Sequence, residues 1–360
     1  MSSERVTIGV LGGRDPREFG GVESVVSSIA AHSGDRYDFV QYCVGEENRV
    51  EESEFGTIRT RSDRFGCVRS KYLSSIRAAR DLRRREVDLV HGHGDNALGL
   101  SLFRPSEPYV VTFHGTTAGM YANVFGDGST LRRGLGKLRP LPELFAARQC
   151  DVAVACSERV RVELVSHYGI DPEKTVVIRN GVDTERFSPV PRDEARHRLE
   201  LDPDARYVLW IGTDPRRKAL GTAVGAVESV AGSARLLVAG TDGEDTEAVR
   251  YLGRVPDDRM ADLYSAADVQ CLCSLYEGFP LVLLESLACG TPVVASPFMP
   301  TLDGGVSYVD EQAVPMYARA IERVLADPPS REELRQLAIE NDWSHAAAEY
   351  VAVYEALLRG

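Results

Sequence analysis

Ten short apolar runs, each followed by a longer stretch of helical periodicity, recur along the chain and leave few folds open to it. They lie at 6–11, 37–44, 87–91, 109–113, 151–156 and 175–179, and then at 207–211, 235–239, 269–273 and 293–295. Most are rich in Val, Ile and Leu without clean polar alternation, as in strands buried on both faces of a parallel sheet. Helices between such strands make a doubly wound α/β chain. At roughly 150 residues per domain, 360 residues suggest two domains. Their boundary is expected at 180–192, where Asn180-Gly181 marks a turn and Ser188-Pro189-Val190-Pro191 reads as an extended linker. The expected division is 1–185, then 186–343, then a closing segment 344–360 that packs back on the first domain. That segment is amphipathic, with Tyr350, Val353, Tyr354 and Leu357 at helical spacing.

Charge narrows the function. Acids outnumber bases 54 to 42, which argues against a general affinity for nucleic acid. The imbalance is local: residues 1–190 hold 26 of each sign, and the remainder holds 16 basic and 28 acidic residues. No run reaches the roughly 18 apolar residues of a membrane span, and the N-terminus lacks the zones of a signal peptide. Cys43, Cys67, Cys150, Cys156, Cys271, Cys273 and Cys289 mostly lie in apolar runs and read as buried, reduced thiols of a cytoplasmic protein. Cys271 and Cys273 lack a second ligand pair at zinc spacing, so no metal site is expected.

In open α/β sheets ligands bind beyond the carboxyl ends of the strands, so the residues after each strand carry the chemistry. After the first come Gly12-Gly13 and then Gly20-Gly21 at a helix start, which suits close approach of an anion or, alone, a tight turn. After 109–113 comes His114-Gly115; the histidine either points into a cleft or bonds a neighbouring loop. His91, His93 and Asp95, placed at the tip of the preceding strand, would line the same cleft. After 207–211 comes Gly212-Thr213-Asp214-Pro215-Arg216-Arg217-Lys218, either a diphosphate clamp or a solvated basic loop, conspicuous in an acidic half.

The richest segment runs from Tyr276 to Pro292. Pro280 fits the first helical position, Gly290 the left-handed position after the helix, and Pro292 prevents continuation. The helix between is almost wholly apolar, so Glu285 within it needs a partner: ribose hydroxyls, or an arginine inside the fold. The free N–H groups of Leu281 and Val282 would face an anion, and Glu277 stands at the same rim.

Glu277 and Glu285 stand eight apart with seven residues between them, and the segment resembles the E-x7-E signature of retaining nucleotide-sugar glycosyltransferases of family 4, with the GT-B fold. Gly20-Gly21-Val22-Glu23, Phe113-His114-Gly115, Asn180-Gly181-Val182-Asp183, Tyr264 to Asp268 and Trp343 extend the likeness over nearly the whole chain. The resemblance implies two Rossmann-like domains around a central cleft, closing on the donor about 180–192. It implies that Glu285 binds the donor ribose and that Glu277 contacts the transferred sugar with backbone of Phe279 and Pro280. Backbone N–H groups of Leu281, Val282 and Gly21, beside Gly20, would hold the diphosphate with Lys218, and Arg254-Val255 would meet the base. His114 would sit beside the reacting face of the sugar. The implied reaction moves a hexose-type sugar from a UDP or GDP sugar to an acceptor hydroxyl with retention, without metal or cofactor.

One departure stands out. The family's G-R-x-x-x-x-K-G has Thr213 in place of Arg and Ala219 in place of the final Gly, so Arg216 or Arg217 is expected to supply the missing cation. That gap keeps a non-catalytic nucleotide-sugar binding protein open beside a GT-B sugar-nucleotide epimerase. The acceptor is expected to meet the first domain. There 59–85 holds ten basic and two acidic residues with apolar neighbours, and a second cluster runs from Leu131 to Arg139. Such clusters either hold an anionic lipid surface or a lipid-linked acceptor at the cytoplasmic face, or are solvated helix faces.

Overall fold

The computed structural model describes residues 5–12, 21–45, 48–53, 56–62, 68–124, 140–230, 232, 234–302 and 304–360. It divides into two compact units, Met1–Asn180 with Trp343–Gly360, and Gly181–Asp342.

The first unit carries an eight-stranded sheet in the order β3-β4-β2-β1-β5-β6-β7-β8. The strands are β1 (Val6–Leu11), β2 (Tyr37–Gly45), β3 (Arg49–Ser53), β4 (Gly56–Ser62), β5 (Leu89–His93), β6 (Tyr109–Phe113), β7 (Val152–Ala155) and β8 (Thr175–Val177). All pairings are parallel except the β3–β4 hairpin. The second unit is a fully parallel sheet in the order β11-β10-β9-β12-β13-β14. Its strands are β9 (Tyr207–Ile211), β10 (Arg235–Ala239), β11 (Val249–Gly253), β12 (Val269–Leu272), β13 (Val293–Ala295) and β14 (Val306–Tyr308). Renumbered within the unit this is 3-2-1-4-5-6, the order of nucleotide-binding sheets, whose ligand crevice opens at the carboxyl ends where the order reverses. In the second unit that point lies between β9 and β12.

Every apolar run became a strand, and four strands lacked such a run. β3, β4, β11 and β14 are short, polar or at an edge; in β4 Ile58 and Thr60 turn inward to full burial, a period-2 signal carried by two residues. The basic 59–85 stretch therefore splits between β4 and the helix Val68–Leu82 and is no continuous basic helix. A second correction concerns β5. It begins at Leu89, because Asp88 turns back to accept from Thr7 N at 2.7 Å. His91 consequently lies inside the strand, whereas His93 is its last residue, at the tip, and both are buried.

The helix Trp343–Arg359 belongs to the first unit and packs on Gly21–His32. Tyr350 and Tyr354 are its buried anchors. In the second unit the segment after Asn180 is pinned to the end of the unit: Val182 N donates to Asn341 O at 3.0 Å, and Thr184 Oγ1 to Asp342 at 2.7 Å. The described cysteines are all free and buried; Cys67 lies outside the described residues.

Candidate functional site

The carboxyl ends of β9 and β12 place two loops side by side in the second unit. After β9 the chain turns tightly, with Lys218 N donating to Asp214 O and Leu220 N to Pro215 O, both at 2.9 Å. Trp210 fixes the turn from beneath through Nε1 to Lys218 O at 3.0 Å. Gly212 makes room for the lysine, since a Cβ there would lie 2.4 Å from Lys218 Cδ. After β12, Leu275 N donates to Arg217 O at 2.9 Å, which joins the two loops.

The join brings Glu277 to the cations. Arg217 Nη1 lies 2.7 Å from Glu277 Oε1 and donates to Tyr276 O at 3.1 Å. Lys218 Nζ stands 3.6 Å from the same carboxylate, and Ser274 Oγ donates to it at 3.0 Å. Burial alone would raise the Glu277 carboxyl, but Lys218, Arg217 and Ser274 outweigh it and hold it below the usual range. A unit charge pair at about 4 Å is worth about 4 kcal/mol at an intermediate effective dielectric, enough to reverse the burial effect. The side chain of Arg216, by contrast, is exposed and joins no ion pair among the described residues, and Thr213 is exposed. Arg217 rather than Arg216 joins the carboxylate.

Glu277 leads into the helix Leu281–Ala288. No side chain caps its N-terminus, and Leu283 N turns to Pro280 O at 3.2 Å, which leaves the N–H groups of Leu281 and Val282 open at the rim. At the other end Arg331 donates to Cys289 O at 2.9 Å and Arg335 to Ala288 O at 3.1 Å, charges that complement the helix dipole. Glu285, in the middle, is half-buried and accepts from the Tyr264 hydroxyl at 2.5 Å. Its partner inside the fold is thus a tyrosine. Burial pushes the Glu285 carboxyl up, against the pull of Tyr264, Arg186 and Lys218. The two glutamates of one short segment are driven in opposite directions, one toward the anion and one away from it. Arg254 and Val255 follow β11 at the same edge of the sheet, with Arg254 exposed.

In the first unit His114 follows β6, half-buried, and Nε2 lies 2.9 Å from His93 Nδ1. Burial brings His114 down to about 4, so it is neutral near pH 7. The helix after it, Thr117–Val124, is held by two buried glutamates: Glu143 accepts from Thr117 N at 2.7 Å, and Glu163 from Thr116 Oγ1 at 2.6 Å. Gly21 opens the helix Gly21–His32 with open space around it, and Gly20 lies outside the described residues. Among the described residues no cluster of three or more His, Cys, Asp or Glu could hold a metal ion.

Residues 19–186 match the family described as Glycosyltransferase Family 4, and residues 205–327 match Glycosyl transferases group 1. A D-inositol 3-phosphate glycosyltransferase of Streptomyces bingchenggensis is 31 % identical over 310 residues, 76 % of this chain and 67 % of that protein. One from Catenulispora acidiphila is 32 % identical over 311 residues, 76 % of this chain and 73 % of that protein. The chain belongs to the family 4 glycosyltransferases. It spans about two thirds of the length of the relatives it matches, from 66 % to 73 % for these and two others. Sucrose-phosphate synthase of Thermosynechococcus elongatus shares its fold at a TM-score of 0.83, with 22 % identity, over 99 % of this chain and 100 % of that one. Anabaena HepE in complex with UDP and glucose does so at 0.75, with 16 % identity, over 98 % and 100 %. The glycosyltransferase thus has the GT-B architecture of two Rossmann-like domains. Neither the epimerase nor the non-catalytic binder is favoured by these likenesses.

Sequence reasoning placed both glutamates of the glycosyltransferase, the basic triplet and the helix between its stop signals, and missed what holds them. Tyr264 stands 21 residues before Glu285, and Arg217 stands 60 before Glu277. Neither separation has a periodic signature, so no local pattern in the sequence announces those partners.

Proposed function

We propose that this glycosyltransferase moves a hexose-type sugar from a UDP or GDP sugar to an acceptor hydroxyl with retention of anomeric configuration. The carrying observation is the Arg217–Lys218–Glu277 cluster beside the open N-terminus of Leu281–Ala288. Breaking the bond between sugar and diphosphate leaves negative charge on the leaving group and oxocarbenium character on the sugar. Lys218, Arg216 and Arg217 supply positive charge to the leaving group, with the N–H groups of Leu281 and Val282 and of Gly20 and Gly21 on the diphosphate. In this reading those cations take the part a divalent metal plays elsewhere. Glu277 contacts the transferred sugar with backbone of Phe279 and Pro280, Glu285 accepts from ribose hydroxyls, Arg254 and Val255 meet the base, and His114 meets the sugar face. HepE, of the same fold, binds UDP and glucose, which supports a nucleotide-sugar donor.

The acceptor in this reading is anionic and lipid-linked, met at the cytoplasmic face of a membrane. Arg77, Arg80, Arg83, Arg84 and Arg85 are exposed at the end of Val68–Leu82 with Leu73, a surface suited to phosphate. The cluster from Leu131 to Arg139 lies outside the described residues. A second reading, a soluble inositol phosphate, is favoured by the name of the relatives, which act on D-inositol 3-phosphate.

A thermal-shift screen against UDP, GDP, ADP and their sugars, followed by donor hydrolysis and transfer assays, tests the donor. A shift with one nucleotide that is lost in Glu285→Ala is the expected result. Binding with no turnover on any acceptor, unaffected by His114→Ala, would defeat the transferase mechanism. Co-sedimentation with anionic vesicles at low and high salt, beside turnover on inositol phosphate, separates the two acceptors.

A further inference from the structure

We propose that His93 fixes the orientation and the tautomer of His114 from within the sheet, so that His114 meets its ligand as a neutral N–H donor. The inference rests on the reading above that His114 faces the reacting sugar. His91 and His93 are two apart on β5 and share a face. The His91 ring is held at both nitrogens, Nδ1 at 2.7 Å from the Tyr354 hydroxyl and Nε2 at 2.8 Å from Thr112 Oγ1. It cannot turn, and it forms a fixed plate against which His93 stacks, with centroids 4.3 Å apart. His93 and His114 lie edge to edge, their centroids 5.2 Å apart and the rings within 8° of parallel. The pair is joined at His93 Nδ1 and His114 Nε2, 2.9 Å apart.

One of those two nitrogens donates and the other accepts. His93 is only 2 % exposed, and its Nε2 is buried with no partner among the described residues. If His93 accepted at Nδ1, its proton would sit on Nε2 as a buried N–H without an acceptor, the arrangement folded proteins tolerate least. His93 therefore donates from Nδ1, His114 accepts at Nε2, and the proton of His114 sits on Nδ1. That nitrogen makes no contact among the described residues and is the one left for a sugar or acceptor oxygen. His93 touches no ligand in this scheme; it is a positioning residue, backed by His91 and by the tyrosines of the closing helix.

The test is nitrogen NMR of the full chain labelled with 15N-histidine, with the ring signals assigned from His114→Gln and His93→Asn. His114 is expected to be protonated on Nδ1 in the native protein and to revert to the Nε2–H form in His93→Leu. His93→Asn, whose amide keeps an N–H donor at the place of Nδ1, restores the native tautomer. In donor hydrolysis or transfer, kcat is expected to fall about tenfold in His93→Leu, about 1.4 kcal/mol, with KM for the donor unchanged, and to recover in His93→Asn. A native His114 protonated on Nε2, or a tautomer unmoved in a folded His93→Leu, overturns the proposal. If His93→Leu does not fold, the native spectrum and His93→Asn decide it. If the native chain turns over no nucleotide sugar, the donor reading fails, while the spectra still judge His93.

Discussion

Glu285→Gln is expected to stabilise this protein while weakening its hold on a nucleotide. The carboxyl is half-buried and accepts from Tyr264, itself fully buried, at 2.5 Å. Glutamine keeps an acceptor for that hydroxyl but makes the bond neutral, a loss of about 1 kcal/mol. Against this stands the penalty of holding an ion out of water, which is several kcal/mol. Because burial outweighs Tyr264, Arg186 and Lys218 together, the carboxyl is raised above its ordinary 4.5. An acid raised in the fold contributes stability below its unfolded value, and that contribution is lost as pH rises through the folded value. At pH 7.5 the ionised carboxylate is therefore a net cost, and the amide gains on the order of 1 kcal/mol. For a unit the size of Gly181–Asp342 this is a rise in Tm of about 2–4 °C.

The assay is scanning calorimetry of the whole chain at pH 7.5 and at steps down to 4.5, with and without UDP or GDP. The variant's advantage should shrink as pH falls toward 4.5, where the native carboxyl is protonated. Nucleotide affinity should drop about tenfold with the loss of charged acceptance from ribose. A variant that melts below the native chain at pH 7.5, or whose advantage does not change with pH, would refute the reasoning.

Arg217→Ala should cut turnover about 100-fold, because it removes a cation from the leaving group and releases Glu277. Arg216→Ala, in an exposed residue, should act through charge alone; near-normal rates in both variants, singly and together, would remove the arginines from the mechanism. Arg335→Ala strips donors from Thr184 O, Phe187 O and Ala288 O, and should cost about 3 kcal/mol in urea denaturation of a chain whose nucleotide preference is unchanged. Acid should unfold the first unit early. Burial lowers His91 to about 3 and His114 to about 4, and holds His93 well below 6.5. Such groups give stability above their unfolded value that is lost as pH falls, at about 1.4 kcal/mol per pH unit for each histidine between 6.5 and 4. A urea midpoint that stays flat from pH 6.5 to 5 would contradict this.

The parallel sheets were legible because a strand covered on both faces has little choice but Val, Ile and Leu. Val208 to Ile211 and Val110 to Val111 show this plainly, all buried. β4 escaped because its inward face is marked by Ile58 and Thr60, one of them polar, and β14 because Val306-Ser307-Tyr308 is only half-buried and carries no apolar run. The histidines of β5 were visible as a pair, but their burial was not. A buried histidine needs partners, and those of His91 are Thr112, 21 residues away, and Tyr354, 263 residues away. Glycine positions were legible where they punctuate a helix, as at Gly290 with φ 74°, and silent where they admit a neighbour, as at Gly212. The rule behind these cases is one of range: backbone preferences act within a turn, whereas pairing of a buried charge is settled wherever the fold brings a counter-charge.

The loop from Thr213 to Ala219 shows both sides of that rule in seven residues. Ala219 holds φ 47°, a left-handed backbone that costs an L-residue about 1–2 kcal/mol and that glycine, the family's usual residue there, would adopt freely. The turn persists because tertiary bonds fix it, Trp210 Nε1 on Lys218 O and Leu275 N on Arg217 O. Those bonds point the side chains of Arg217 and Lys218 at Glu277. A cation at Thr213 would have stood at the strand tip by local sequence alone. Here the positive charge enters four residues later, where the loop joining β9 to the Glu277 segment delivers it. The acidity of the second half of the chain does not oppose this arrangement. Acids such as Asp268 and Asp262 are taken up in structural pairs with Arg196 and Arg198, both at 2.9 Å.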